Sequence, residues 1–405
     1  MPMRQMESSS YLRKTSLESI AQRGSGHTPS QKYPGYWNGG CLWLSLADTA
    51  KLDRGYVAAT KKQISIQGIQ NSSAVLHPKN TVVLLRDAGV GKSAILGVEM
   101  AVSQHFITWR CDEKNIHHRY LYQWLQWKKP EFERIASGST VQTIGVPYFK
   151  KLAIELPAIQ SQQMIANQLF LCDLGAQTAE KLAVALEKRK LGLIQQLLTG
   201  RRRLKGFKGE WHQTRADVLF TEITKRSPTK ESLLSVTQDR GVIPRSMLEA
   251  RVTMPTGDLT AFKLVEKDNF VISLRSFQGG LEHSKYRGLV SPAYTVLESD
   301  ASRVHAAYFR QYFKSADFLR RLSVAVVGIR DGKQINYTDF KSIKLPLPPI
   351  IEQVAITEVL HEADIHIALA EQQVNQFKAQ KRALMQKLLS GQWRMPADAV
   401  KGKKS

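Results

Sequence analysis

The chain repeats itself. Residues 149–203 can be laid on residues 340–394 without a gap, at a constant offset of 191 positions. The matching pairs include Pro157/Pro348, Ile159/Ile350, Gln162/Gln353, Ile165/Ile356, Leu169/Leu360 and Asp173/Asp364. They continue through Glu180/Glu371, Lys190/Lys381, Leu197/Leu388 and Gly200/Gly391. Agreement of that length marks a duplication, and any fold for this chain must house the same element twice.

Within each copy the apolar residues step by four and three. The first runs Ile165, Leu169, Cys172, Ala176, Ala179, Ala183, Leu186, Lys190, Leu193, Leu197. The second runs Ile356, Leu360, Ala363, Ile367, Ala370, Val374, Phe377, Lys381, Leu384, Leu388. This is a heptad seam, and each helix should run about 35 residues, or roughly 50 Å. Pro157 and Pro348 open the helices, while Gly200 and Gly391 stand where C-terminal caps belong. The simplest partner for each seam is the other, which gives an antiparallel coiled coil. A lysine occupies the same seam position in both copies; it either fixes register or extends out to solvent.

The rest of the chain is mixed α+β. A Gly/Pro/Tyr-rich loop (Gly24–Gly40) precedes Cys41–Leu46, and a β-prone run follows at Thr81–Leu85, then a helix near Tyr120–Trp127. The second stretch has a comparable run, Asn269–Leu274, and helical sequence around Ala306–Phe318. The expected segments are a globular domain at 1–155, a helix at 156–204, a second domain at 205–346, a second helix at 347–395 and a basic tail at 396–405. The fold class is thus α/β in the mixed α+β sense, with two globular domains separated by two long antiparallel helices.

Fifty-eight Lys and Arg against 35 Asp and Glu leave a net charge of +23. Such a surplus repels itself unless a polyanion is bound, and nucleic acid is the leading candidate ahead of an anionic membrane surface. The three cysteines (Cys41, Cys111, Cys172) are scattered, which fits a reducing cytoplasm. Cys111 lies near His117 and His118, but the spacing matches no zinc motif, so no metal site is assigned. No apolar run is long enough to cross a membrane.

The segments LPAIQSQQMIANQLF…QQLLTG and LPLPPIIEQVAITEVL…QKLLSG are similar to the conserved helical regions of the specificity subunits of type I restriction–modification systems. The opening of a target-recognition domain in that family also resembles Gly26-His27-Thr28-Pro29-Ser30, Tyr36-Trp37, Gly39-Gly40 and Trp43. The family's Pro-x-x-x-Glu/Gln-Gln opening stands in the second copy as Pro348…Glu352-Gln353; the first copy has Ser161-Gln162 instead. The resemblance implies a subunit that is not an enzyme. Its two target-recognition domains would each read half of a split site in double-stranded DNA. The helices would set the gap and dock two methyltransferase (M) subunits, which bind S-adenosylmethionine and methylate adenine. Motor-nuclease (R) subunits are a further implied partner. No cofactor is expected on this chain itself.

The candidate DNA contacts are Thr28, Ser30 and Lys32 in the first loop, with Trp43 behind it, although a tryptophan there is more often core. Arg86 and Lys92 flank the turn Gly89-Val90-Gly91-Lys92-Ser93. That turn echoes a P-loop, but the glycine required five residues before Gly91 is replaced by Arg86. A nucleotide-hydrolysing P-loop enzyme is therefore the lesser alternative, and a plain hairpin is the bland one. In the second domain Arg275, Gln278, Lys285, Tyr286 and Arg287 cluster around Gly279-Gly280. Lys333 lies in the turn Gly328–Gln334, which corresponds in place to Ser137–Gln142 of the first domain. No catalytic residues are assigned: the Asn/Asp-Pro-Pro-Tyr/Phe motif of adenine methyltransferases is absent, as is a G-x-S-x-G elbow. A nucleic-acid-binding coiled-coil scaffold of another defence system is the remaining alternative.

Overall fold

The computed structural model describes residues 11–138, 141–226, 231–248, 259–273, 280–325 and 335–395. The chain divides into two compact units, residues 1–180 with 371–405, and residues 181–370. Each unit therefore holds one globular domain and half of each long helix.

The long helices span Ile159–Leu197 and Ile350–Leu389. Their seam is the one the heptads draw. Ile165, Leu169, Cys172, Ala176, Ala179 and Ala183 are buried, as are Ile356, Leu360, Ala370 and Val374. Only the middle of each seam faces the other helix alone. The ends are absorbed into domain cores: Ile165 and Leu169 join Met385, Leu388 and Leu389 in the first unit. Leu197 and Leu198 join Ile356 and Leu360 in the second. Both helices stop the same way. Gly200 and Gly391 take φ of +70° and +75°. Arg202 N–H donates to Gln196 O and Trp393 N–H to Lys387 O, closing the last turn.

The seam lysines do not run out to solvent. Lys381 Nζ sits 2.8 Å from both carboxylate oxygens of Asp173 in the first unit. Lys190 Nζ sits 2.5 Å from Asp364 in the second. Since Asp173 and Asp364 are themselves repeat partners, one ion pair has been built twice. Lys190 facing Asp364 while Lys381 faces Asp173 also shows that the helices run antiparallel.

In the first unit a five-stranded sheet has the order Ala21–Ser25, Phe106–Cys111, Val82–Leu85, Ser93–Leu96, Tyr56–Val57. A four-stranded sheet follows the order Lys62–Ile64, Trp37–Leu44, Met100–Val102, Leu76–His77. The helix His118–Ile135 covers the five-stranded sheet with Tyr120, Leu121, Trp124 and Leu125, all buried. In the second unit the main sheet has four strands in the order Phe220–Ile223, Thr295–Ser299, Phe270–Ile272, Glu282–His283. Its core is a cluster of aromatic rings, Phe220, Phe270, Phe309, Phe313 and Phe340. The helices over it are Ala306–Tyr312 and Ala316–Ala325; the helical stretch expected around Ala306–Phe318 covers the first and only the start of the second.

Each domain is closed by a short antiparallel ribbon that leads into its helix. Arg13–Ser16 pairs with Ala153–Leu156, and His212–Arg215 pairs with Lys344–Leu347. Just beyond, a fully buried glutamine fastens domain to helix. Gln162 Oε1 accepts His117 N–H at 3.0 Å, and its amide donates to Asn115 O and Pro157 O. Gln353 Oε1 accepts His305 N–H at 2.8 Å, and its amide donates to Arg303 O and Pro348 O. The departure at Ser161 has a visible counterpart: Glu352 is buried and grips Arg203 through two bonds of 2.6 Å, with Trp211 Nε1 donating a third.

The two ion pairs differ in exposure, and their removal should differ too. Asp173 is 15% exposed and Asp364 is 43% exposed. Lys381→Ala takes the cation from the more buried carboxylate and should cost on the order of 2 kcal/mol, whereas Lys190→Ala should cost about 1 kcal/mol or less. Denaturant unfolding of both variants checks this; equal losses would contradict it.

Candidate nucleic-acid interface

The loop at Gly26–Tyr33 is held by two indoles. Trp43 Nε1 donates to His27 O at 3.0 Å and Trp37 Nε1 to Ser30 O at 3.3 Å. The two rings meet edge to face at 5.2 Å between centroids. Trp43 is 5% exposed, so it shapes the loop from behind. Gly26 is needed for close approach: a Cβ there would lie 1.8 Å from Val102 O. With its base fixed, the loop leaves Ser30 and Lys32 exposed.

Thr28 is joined to Arg86 through Gln104, a residue that no motif marks. Thr28 Oγ1 donates to Gln104 Oε1, and Arg86 Nε donates to Gln104 O at 3.3 Å. Beside them His105 Nδ1 lies 2.6 Å from Asp87 Oδ1. Asp87 in turn bridges to Thr143, and Ile144 N–H donates to Arg86 O. The first loop, the Arg86–Asp87 segment, the Gln104–His105 turn and Thr143–Ile144 thus form one edge of the first domain. Gln104 is exposed and can present both an amide donor and acceptor, the pairing chemistry that adenine edges accept.

Gly89–Lys92 is a hairpin tip. Val82–Leu85 and Ser93–Leu96 pair antiparallel on either side of it. A P-loop needs a helix after its glycines, and a strand follows here, so the nucleotide-hydrolysing alternative is not favoured. Gly91, with φ of +86°, is required for packing: its Cβ would meet Lys129 Cγ at 2.8 Å. The hairpin is moored beneath by Asp53, which accepts from Ser93 N–H at 2.9 Å and from Lys129 Nζ at 2.7 Å. Lys92 stays partly exposed.

In the second domain, Lys285, Tyr286 and Arg287 are exposed between the strands Glu282–His283 and Gly288–Val290. Arg287 is spoken for: its Nε lies 3.0 Å from Glu231, and its NH1 bonds Glu266. Arg275, Gln278 and Lys333 lie outside the described residues, as do the whole turn Gly328–Gln334 and, in the first domain, Ser139 and Thr140. Beside the same edge Glu282 is 1% exposed, and burial pushes its carboxyl up to about 7 even though Lys314 bonds one oxygen. Its other oxygen is buried without a partner.

The sequence profile of the type I restriction modification DNA specificity domain matches residues 13–188 and 258–379. The chain belongs to that family. Three relatives from Methanocaldococcus jannaschii are similar at low identity. The type I restriction enzyme MjaIX specificity subunit is 26% identical over 44% of this chain and 42% of its own length. A putative MjaX specificity subunit is 26% identical over 66% of each chain. The MjaVIII specificity subunit is 23% identical over 81% of this chain and 82% of its own. The chain thus spans less than half of the first relative and about two thirds of the second.

The type I restriction–modification S subunit from M. genitalium has a similar fold, with a TM-score of 0.55 at 14% identity over 96% of this chain and 98% of that one. The HsdS subunit from Thermoanaerobacter tengcongensis gives a TM-score of 0.51 at 14% identity, covering 97% and 100%. Among the described residues, no helix is long and apolar enough to cross a membrane.

The raised carboxyl of Glu282 carries a pH signature. The native state keeps a proton that the unfolded chain releases above its ordinary value of 4.5. Stability of the second unit should therefore fall as pH rises from about 4.5 to about 7, by at most about 3 kcal/mol. Glu282→Gln should flatten that slope in denaturation curves, and an unaltered slope would remove Glu282 as its source.

Proposed function

We propose that this chain is the non-catalytic DNA-reading subunit of a type I restriction–modification complex, and that each globular domain reads one half of a bipartite site in duplex DNA. One observation carries the reading: the same scaffold is made twice, down to matching glutamine clamps and lysine–aspartate pairs, beneath two unlike tips. A duplicated support with diverged ends suits a reader of two different half-sites. The charge of +23 supplies the sequence-independent affinity for phosphate, and exposed polar side chains at the tips supply the discrimination.

In this reading the paired helices set the distance between the half-sites. Two M subunits dock on them in the cytoplasm, carry S-adenosylmethionine and methylate adenine within the site the chain selects. R subunits join where cleavage follows. Exposed apolar residues on the helices, such as Leu171, Leu174, Leu191 and Ile351, favour helical docking partners. RNA binding and a scaffold role in another defence system are the competing readings, and neither explains two tips of different sequence on one duplicated scaffold as economically.

Lys92→Ala should weaken duplex binding by the complex nearly uniformly across sequences and reduce the slope of log affinity against log salt by about 0.9. Arg86→Ala should act on one half-site and leave the other intact. Titrations of labelled duplexes with either half scrambled, at several salt concentrations and against RNA competitor, separate these effects. Unchanged affinity and slope in both variants would remove the first tip from the DNA interface.

A further inference from the structure

The turn between the strand Phe106–Cys111 and the helix His118–Ile135 is built the same way in both units. Asp112 accepts N–H bonds from Asn115 and Ile116, as Asp300 does from Arg303 and Val304. The next residue, His117 or His305, then donates its N–H to the clamping glutamine. The turns therefore superimpose residue for residue, and the second serves as an internal control on the first. Where the first has Glu113 and His118, the second has Ala301 and Ala306. The turn and its clamp consequently need neither side chain.

Glu113, His117 and His118 each present one ligand atom, and these atoms all lie within 4.8 Å of one another. Glu113 Oε1 and His118 Nδ1 are 2.6 Å apart. His117 Nδ1 is buried with no hydrogen-bond partner, an expensive arrangement for a polar nitrogen unless something else occupies it. Burial first, and the adjoining His118 ring second, push the His117 pKa down and favour the neutral imidazole that ligation requires.

The outer contacts suit ligation as well. His118 Nε2 lies 2.8 Å from the Tyr56 hydroxyl oxygen, which also accepts from Arg119 Nε at 2.8 Å. With Nδ1 on a cation, Nε2 must carry the proton and donate it to Tyr56, the kind of outer partner that orients ligating histidines. The His117 backbone is already fixed through Gln162 to the long helix. A cavity of about 740 Å³, bounded by Tyr56, Lys79, Asn80, His117, His118 and Arg119 among others, adjoins the cluster and offers entry and room for water.

We propose that Glu113, His117 and His118 form a binding site for a divalent transition-metal cation of the zinc class, with water completing a four-coordinate shell. Cys111, the neighbour that invites a zinc reading from sequence, takes no part; burial raises its thiol pKa far above the ordinary value. The cation's role is structural. It joins the recognition-domain turn, the start of its covering helix and, through Gln162, the long helix, in the first unit alone.

The test uses the full tag-free chain, stripped with chelator and titrated calorimetrically with Zn²⁺, then with Co²⁺ to read its absorption bands. One equivalent should bind, with affinity falling as pH drops through the histidine range. Glu113→Ala with His118→Ala installs what the second unit already carries, so the turn should still fold. That variant should lose more than about tenfold in affinity, the loss that even an outer partner of a metal ligand can cause. Glu113→Gln, which keeps an acceptor for His118, should weaken binding with no change in far-UV circular dichroism. Absence of a saturable one-equivalent site, or binding that survives in both variants, would overturn the proposal.

Discussion

A fully buried glutamine at the start of each long helix is the contact on which the rest of the structure depends. Gln162 and Gln353 each satisfy two carbonyls and one backbone N–H that would otherwise be orphaned where a domain meets its helix. A buried amide with all its partners in place is rigid, because losing any one leaves a desolvated polar group worth about 1–3 kcal/mol. The glutamines thus convert a chain junction into a fixed joint. Everything outward of that joint is free to diverge. Everything inward, the seam with its lysine–aspartate pairs, has kept its register.

The economy of the design follows from this division. In the first unit the helix His118–Ile135 reaches the coiled coil through Gln123, whose amide donates to Asp173, the same carboxylate that holds Lys381. The helix that covers the first sheet and the helix pair therefore share one polar network. In the second unit the corresponding security comes from Glu352, held by Arg203 and Trp211 where the first copy has only Ser161. Two copies of one ancestral joint have been reinforced differently, and the reinforcement lies on the scaffold rather than at the tips.

Much of the scaffold was legible in the sequence because helical periodicity is a local signal. Ile165 through Leu197 announce their face at intervals of three and four, and the glycines at 200 and 391 announce where it ends. The partner of the seam lysines was not legible, since Asp173 and Asp364 meet them only after two helices 191 positions apart adopt one antiparallel register. At the site the pattern is the same. Thr28 and Arg86 could be chosen by their chemistry and neighbouring glycines, but Gln104, which joins them, lies 76 residues along the chain from Thr28. The P-loop echo at Gly89–Ser93 shows the converse. Its glycines are real, yet the strand that follows is dictated by pairing with Val82–Leu85, which a motif cannot contain. Likewise the residue that invites a zinc reading in the sequence, Cys111, packs partly buried against the domain core, while the fold brings Glu113 beside the histidines.

The central claim is that one duplicated scaffold sets the spacing of two half-sites read by two tips. Mapping N6-methyladenine across a host genome, with the chain co-expressed beside its methyltransferase, tests it directly. The chain should produce a single motif of two short specified halves separated by a fixed gap. Inserting one heptad into each long helix at matched positions should change the gap and leave both halves as they were. Methylation of one undivided motif, or a gap indifferent to helix length, would contradict the account.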